Sequence, residues 1–316
     1  MRILFPLLIL GAFVSGNPAR AQDNDLEKLL EEESGPQFNK VFATFKTSRI
    51  ISSQSVEQVK AGTLDFRVTH RFGNVGAGSA GGGHTLFGLD EASDIRISFD
   101  YGLTENFALG IGRSKRKENL DGNFKWKILH QTTDNKIPFT LSLFSVATFT
   151  PMRESQLYLG VDSTFERKTA HRMAYTTQIL LARKFSSWLS LQLTPGYTHR
   201  NFVKEDYNPN NQAADENGFA SLGIGGRIKI TKRSSILFDY FHLFSKYRQN
   251  NDNFFAPLSL GIEIETGGHV FHLNFSNSSG IIENDFLPYT QSDWLAGGFK
   301  FGFNISRVFT VVKPKM

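Results

Sequence analysis

The chain has 316 residues, with 35 Lys and Arg against 30 Asp and Glu, a formal charge of +5 and no cysteine. Disulfides, a lipidated cysteine anchor and a thiolate metal site are therefore excluded, and so nearly balanced a charge leaves no nucleic-acid footprint. Thirty Phe and 28 Gly in one chain suit an apolar outer wall around a crowded interior.

The N-terminus pairs a basic Arg2 with an apolar run over 3–14 and a small-x-small site at Ala19-Arg20-Ala21. This pattern predicts a signal peptide, 1–21, cleaved after Ala21. The run is too short for a transmembrane helix of about 20 residues, and nothing after it is long and apolar enough either. Residues 22–62 are expected to form a periplasmic segment. Leu26, Leu29 and Leu30 give 23–34 the stripe of a short acidic helix. Residues 39–50 alternate weakly, which fits a strand, a periplasmic tether or a segment threaded into a lumen.

From Thr63 the alternation is regular. Leu64, Phe66, Val68 and Phe72 share one parity, and Asp65, Arg67, Thr69 and Arg71 share the other. Successive side chains of a strand point to opposite faces, so this ribbon has an apolar wall and a charged wall. The pattern returns at 95–101, 107–112, 124–131, 137–149 and 173–185. It continues at 189–200, 220–230, 235–244, 258–265, 269–276 and 294–309, giving twelve strands. Short turns (103–106, 132–136, 186–187, 231–233, 266–268) alternate strictly with long polar connections (72–94, 114–123, 151–172, 201–219, 245–257, 277–293). That is the plan of a transmembrane antiparallel β-barrel, all-β, with short periplasmic turns and long extracellular loops. An even strand count puts both ends of the 63–310 barrel on the periplasmic side, with 311–316 as a tail. Trp126, Trp188 and Trp294 sit near strand ends, where interfacial girdles form. Residues 294–309 resemble the C-terminal recognition strand of bacterial outer-membrane barrels, departing from it at Arg307.

Residues 76–81 spell G-x-G-x-x-G, but no helical period follows and the dinucleotide reading fails; a loop is expected. The histidines lack metal-ligand spacing. His130, His199 and His242 share lipid-facing parity, whereas His272 has lumen parity and is expected as a hydrogen-bonded group. The amide-rich loops at 205–211 and 250–253 do not follow the order of an EF-hand loop, so no metal, cofactor or catalytic residue is assigned.

The lumen carries the remaining information. Asp65, Arg67, Arg71, Arg96, Asp100 and Arg227 have inward parity, as do Lys229, Asp239, Glu263, Glu265 and Lys300. Charges inside a barrel are paired or wet. Pairing of Arg67, Arg96 and Arg227 with Asp65, Asp100, Asp239 and Glu263 would make a cross-linked polar core. Placement on opposite walls would make a transverse field for small polar solutes. Sequence leaves both open.

With 64–72, the glycine-rich loop, 88–96, 99–104 and 110–114 considered together, the chain resembles an uncharacterised Bacteroidota family of outer-membrane β-barrels. The resemblance implies a barrel in the outer membrane of a Gram-negative bacterium, met by outer-membrane lipid and the barrel-assembly machinery. It implies no activity. The leading expectation is a narrow porin-like channel for small polar or charged solutes. Its rivals are a non-conducting interaction barrel, an outer-membrane hydrolase and a soluble β-sandwich that would bury the Ile95/Ile97/Phe99 face against protein.

Overall fold

Strict alternation of apolar and polar residues leaves a strand one way to satisfy both faces when water is on one side and lipid on the other. The computed structural model, which describes residues 40–76, 81–266 and 269–312, adopts that solution. The expected signal peptide, the acidic helix at 23–34 and positions 77–80 of the glycine motif lie outside the described residues. Twelve strands are present: β1 (Thr63–Asn74), β2 (Ala92–Thr104), β3 (Phe107–Ser114), β4 (Leu120–Leu129), β5 (Thr140–Phe149), β6 (Met173–Lys184), β7 (Leu189–Arg200), β8 (Gly218–Lys229), β9 (Ser234–Phe244), β10 (Leu258–Thr266), β11 (His269–Ser276) and β12 (Lys300–Thr310). Each pairs antiparallel with the next, and β12 closes on β1 with Leu64 opposite Phe309. Closure removes every free sheet edge, which a lipid environment requires.

The two faces are inverted relative to a soluble protein. Ile97 is 46% exposed and Ile111 65%, while Arg67 and Arg96 are 1% and 2% exposed. Apolar side chains on the outside and guanidinium groups within are the arrangement for lipid. The soluble sandwich fails on this observation, because the Ile97 and Phe99 face packs against no other layer of protein.

β12 begins at Lys300, six residues later than the alternation suggests. Gly297 has a φ of 78°, and the N–H of Gly298 returns to the Asp293 carbonyl at 2.7 Å, so 293–298 is a turn. Gly297 also abuts Gly76, whose N–H donates to its carbonyl at 2.9 Å. Two short helices lie in long connections: α1 (Glu154–Leu157) and α2 (Glu283–Phe286).

Candidate functional site: the barrel lumen

Within the 22–62 segment expected on the periplasmic side, residues 44–56 lie largely buried inside the barrel. The segment enters at the short-turn end, where Lys184 Nζ donates to the Phe42 carbonyl at 3.0 Å. It leaves at the same end, where Gln58 Nε2 reaches the Glu105 carbonyl at 2.7 Å and the Gly62 N–H reaches that of Gly102 at 2.9 Å. Between these points it turns back on itself, with Arg49 bridged to Gln54 and the Ile50 N–H donating to the Ser53 carbonyl at 2.9 Å. Of the three readings open for 39–50, the threaded one describes the observed path.

A chain buried without a ladder must find partners for its backbone one at a time. Asp239 Oδ2 accepts the N–H groups of Ile51, Ser52 and Ser53 at 3.2, 2.8 and 3.0 Å. Gln192 accepts from the Val56 N–H at 3.0 Å and donates to the Gln54 carbonyl at 2.7 Å. Lys125 Nζ donates to the carbonyls of Ser48, Ser55 and Glu57 at 2.8, 2.9 and 3.0 Å. Arg67 and Arg71 reach the hydroxyls of Ser48 and Ser52 at 3.0 and 2.7 Å. The hairpin's apolar side chains, Phe45, Ile50, Ile51 and Val56, pack on Phe144, Val146, Leu180, Ala182 and Leu237. Gly225 makes room for the tip: a Cβ there would lie 2.7 Å from Ile50 Cδ1.

A second insert comes from the long-loop end. The β11–β12 connection dips inward and buries all of α2. Arg71 Nη1 donates to the carbonyls of Ser278 and Gly280 at 2.8 and 2.6 Å. Asn284 donates to Thr148 Oγ1 at 3.0 Å and accepts from the Thr176 hydroxyl. Phe286 packs on Phe241, ring centroids 5.2 Å apart. The two inserts meet at Glu283, whose Oε1 accepts from Arg49 at 3.4 Å and Gln54 at 3.3 Å. Beside the hairpin, a void of about 10 Å³ next to Asp100 and Lys125 remains, room for a single water at most.

Above α2 the long connections frame a cleft of about 560 Å³, lined among others by Lys117, Arg172, Arg200 and Tyr289. Burial opposes ionisation of Tyr289, but Lys117 and Arg200 outweigh it and bring its hydroxyl down to about 8. Lys117 Nζ stands 3.2 Å from the centre of the ring, and Arg200 donates to the phenol oxygen at 3.3 Å.

The charged residues singled out in the sequence are placed as follows. Arg67 pairs with Asp65 at 2.9 Å. Arg227 pairs with Glu263 at 2.8 Å, whose other oxygen faces His272 Nε2 at 3.3 Å. Arg96 does not take Asp100; it forks onto Asp121 at 2.6 and 3.0 Å. The reason is Gly112 on the strand between, where a Cβ would lie 2.7 Å from both Arg96 Cζ and Asp121 Oδ2. Asp239 takes the hairpin in place of an arginine. Glu265 meets Lys46 at 3.0 Å near the short-turn rim, and Lys300 donates to Ser292 Oγ at 2.9 Å. Asp100 and Lys229 are half-buried.

Sequence reasoning missed Asp121, Lys125 and Glu283, and the apolar seat under the hairpin. The seat carried a signal. Phe144, Leu180 and Leu237 stand on lumen parity, where a wet pore has no use for them. The amide-rich loops bind each other: Asn208 donates to the carbonyls of Tyr247 and Gln249, both at 2.8 Å, and the Tyr247 hydroxyl donates to Asp206 at 2.5 Å.

The model of a family described as a membrane bound beta barrel domain (DUF5777) matches residues 45–309, so the family pattern takes in the hairpin as well as the wall. Among solved structures the chain is similar to the COG4313 outer membrane channel from Pseudomonas putida F1. The identity is 12%, over 80% of this chain and 98% of that one, with a TM-score of 0.44. It is also similar to the outer membrane protein Omp33 of Acinetobacter baumannii, with 8% identity, 78% and 98% coverage and a TM-score of 0.38. No curated protein matches the chain.

Proposed function

We propose, given that the chain belongs to the DUF5777 family of membrane bound beta barrel domains, that it is an outer-membrane channel for small polar or charged solutes, closed at rest by its own hairpin. The observation that carries this reading is how the hairpin is held. Asp239, Gln192, Lys125, Arg67 and Arg71 grip it through side-chain hydrogen bonds, each of which water can replace. Continuous strand pairing would hold it through a cooperative ladder; separate side-chain contacts let it exchange more readily. Behind it stands a wall of Arg, Asp, Glu and Gln that suits a hydrated path. The cleft at the long-loop end, with Lys117, Arg172 and Arg200 at its lining, serves as the entry for charged solutes.

Filling of the lumen from both ends favours a second reading, a barrel that never conducts and acts through its long connections. One experiment separates them. Planar-bilayer currents are recorded for the full chain, for a variant lacking 44–57, and for that variant with 280–288 replaced by a flexible Gly-Ser linker. A heat-modifiable gel band reports folding. The full chain is expected to be mostly silent, and the double variant to give discrete steps. Folded variants that both stay silent overturn the channel.

A further inference from the structure

The seam between β9 and β10 stops early. On its other edge β9 stays paired with β8 as far as Phe244, opposite Ala220. Toward β10 the register ends at Tyr240 opposite Leu258, and beyond it the Phe241 N–H donates to the Pro257 carbonyl at 2.9 Å. The connection 245–257 then arches away. A cavity of about 870 Å³ opens at this notch, within the size range of small-molecule sites, about 300–1,000 Å³. Its lining comes from both sides of the wall. His242 and Phe244 belong to the exposed outer face, whereas Leu243 has lumen parity and Leu287 lies in the insert that fills the lumen.

The chemistry is divided in the same way. Phe244, Phe254, Phe255 and Leu287 make apolar surface, and Arg248 and Lys246 supply cations. Arg248 is only 6% exposed. Its Nε donates to the Pro288 carbonyl at 3.1 Å and its Nη1 lies 2.9 Å from Asp215, while its Nη2 is buried with no hydrogen-bond partner among the described residues and the guanidinium lies over the Phe219 and Phe254 rings. Asp215 is shared with Arg200, so one carboxylate serves two guanidinium groups. A second acid, Glu216, stands 3.6 Å from Arg248 Nη1 and accepts from Ser245 Oγ and the Lys246 N–H at 2.7 and 2.8 Å. Two cationic side chains against one carboxylate at the lining, beside the aromatic surface of Phe244, Phe254 and Phe255, suit a ligand with an anionic head and an apolar chain.

We propose that the β9–β10 notch is a lateral binding site for a single-chain carboxylate amphiphile, a free fatty acid, with its head on Arg248 and its chain along Phe244, Phe254 and Phe255. The site opens sideways toward the membrane and does not use the hairpin, so it stands independently of the channel reading.

The test uses the full chain in phosphatidylcholine nanodiscs and a dansyl-labelled undecanoic acid as probe, followed by fluorescence. Saturable binding is expected, displaced by palmitate and unaffected by palmitamide, which keeps the chain and lacks the charge. Arg248→Gln should weaken binding about tenfold or more, the share of a charge-assisted hydrogen bond. Ala256→Trp, which fills the notch and leaves Arg248 in place, should abolish it. Leu109→Ala, elsewhere on the outer face, should change nothing, and deletion of 44–57 should leave binding intact. Undiminished binding in folded Ala256→Trp overturns the site. Displacement by lysophosphatidylcholine as strong as by palmitate overturns the fatty-acid assignment in favour of a bilayer lipid.

Discussion

The inner wall differs from one side of the barrel to the other. Along β1, β2 and β4 it is ionic, with Arg67 on Asp65 and Arg96 on Asp121. Along β5, β6 and into β9 it is oily, with Phe144, Val146, Leu180 and Leu237 pointing inward. Ion pairs alone would close a lumen and need no cover. An oily patch facing a lumen needs one, because each such side chain left in water forgoes about 1.5–3 kcal/mol. The oily side thus locates the hairpin, while Asp239 and Gln192 fix its register. A channel whose gate must leave and return to the same place gains from that division of labour.

The largest effect expected from disturbing this contrast comes from charging the oily side. Leu180→Asp puts a carboxylate among Phe45, Ile50 and Val56, where burial without a partner costs several kcal/mol. The side chain escapes that cost once the hairpin leaves and water enters. The barrel should therefore stay folded while 44–57 becomes sensitive to added protease, and current steps should appear once 280–288 is also replaced by the linker. Unchanged protection of 44–57 would show that the seat does not hold the hairpin.

The same kind of change on the opposite face of the wall should do the reverse. Ile97→Arg places a cation in the lipid-facing belt, at a cost of about 2–4 kcal/mol near the bilayer midplane. Urea unfolding in lipid vesicles should move to lower denaturant by that amount. Protection of the hairpin should remain as in the natural chain. An equal loss of hairpin protection would mean that the two faces are not independent.

How much of this was legible depends on which physical signal each part leaves in the sequence. Strands facing lipid on one side and side-chain charge on the other have a period of two, and β7 and β11 end at the residues where that period breaks. Parity also says which face a charge takes, and His272, Arg71 and Glu263 all lie within. It does not say how far across the wall a long side chain reaches, so the acids considered for Arg96 do not include Asp121, to which the opening over Gly112 leads. The hairpin has no period, because its backbone is satisfied by single wall residues and not by a ladder. Glu283 lies in a polar connection and reads as solvated, although it is fully buried.

Glu283 is also where the smallest effect is expected. It joins the two inserts through long hydrogen bonds, 3.4 Å to Arg49 and 3.3 Å to Gln54, and its second oxygen has no hydrogen-bond partner among the described residues. Glu283→Gln has two opposed consequences. A neutral amide is cheaper to bury than a half-satisfied carboxylate, which favours the closed state. Arg49, however, loses its ion-pair partner among the described residues and keeps the Ser52 carbonyl at 2.9 Å. A buried cation without a counter-charge is the costlier of the two, and the amide's remaining oxygen recovers only part of the loss. The balance should favour opening by about 1 kcal/mol, the low end for a hydrogen bond to a charged group, or roughly fivefold in the ratio of open to closed dwell times. Unfolding in urea should not move by more than that. If the dwell times lengthen in the closed state instead, the two inserts are not latched to each other at Glu283. The hairpin would then be held by its oily seat and by the wall side chains, Asp239, Gln192 and Lys125 among them.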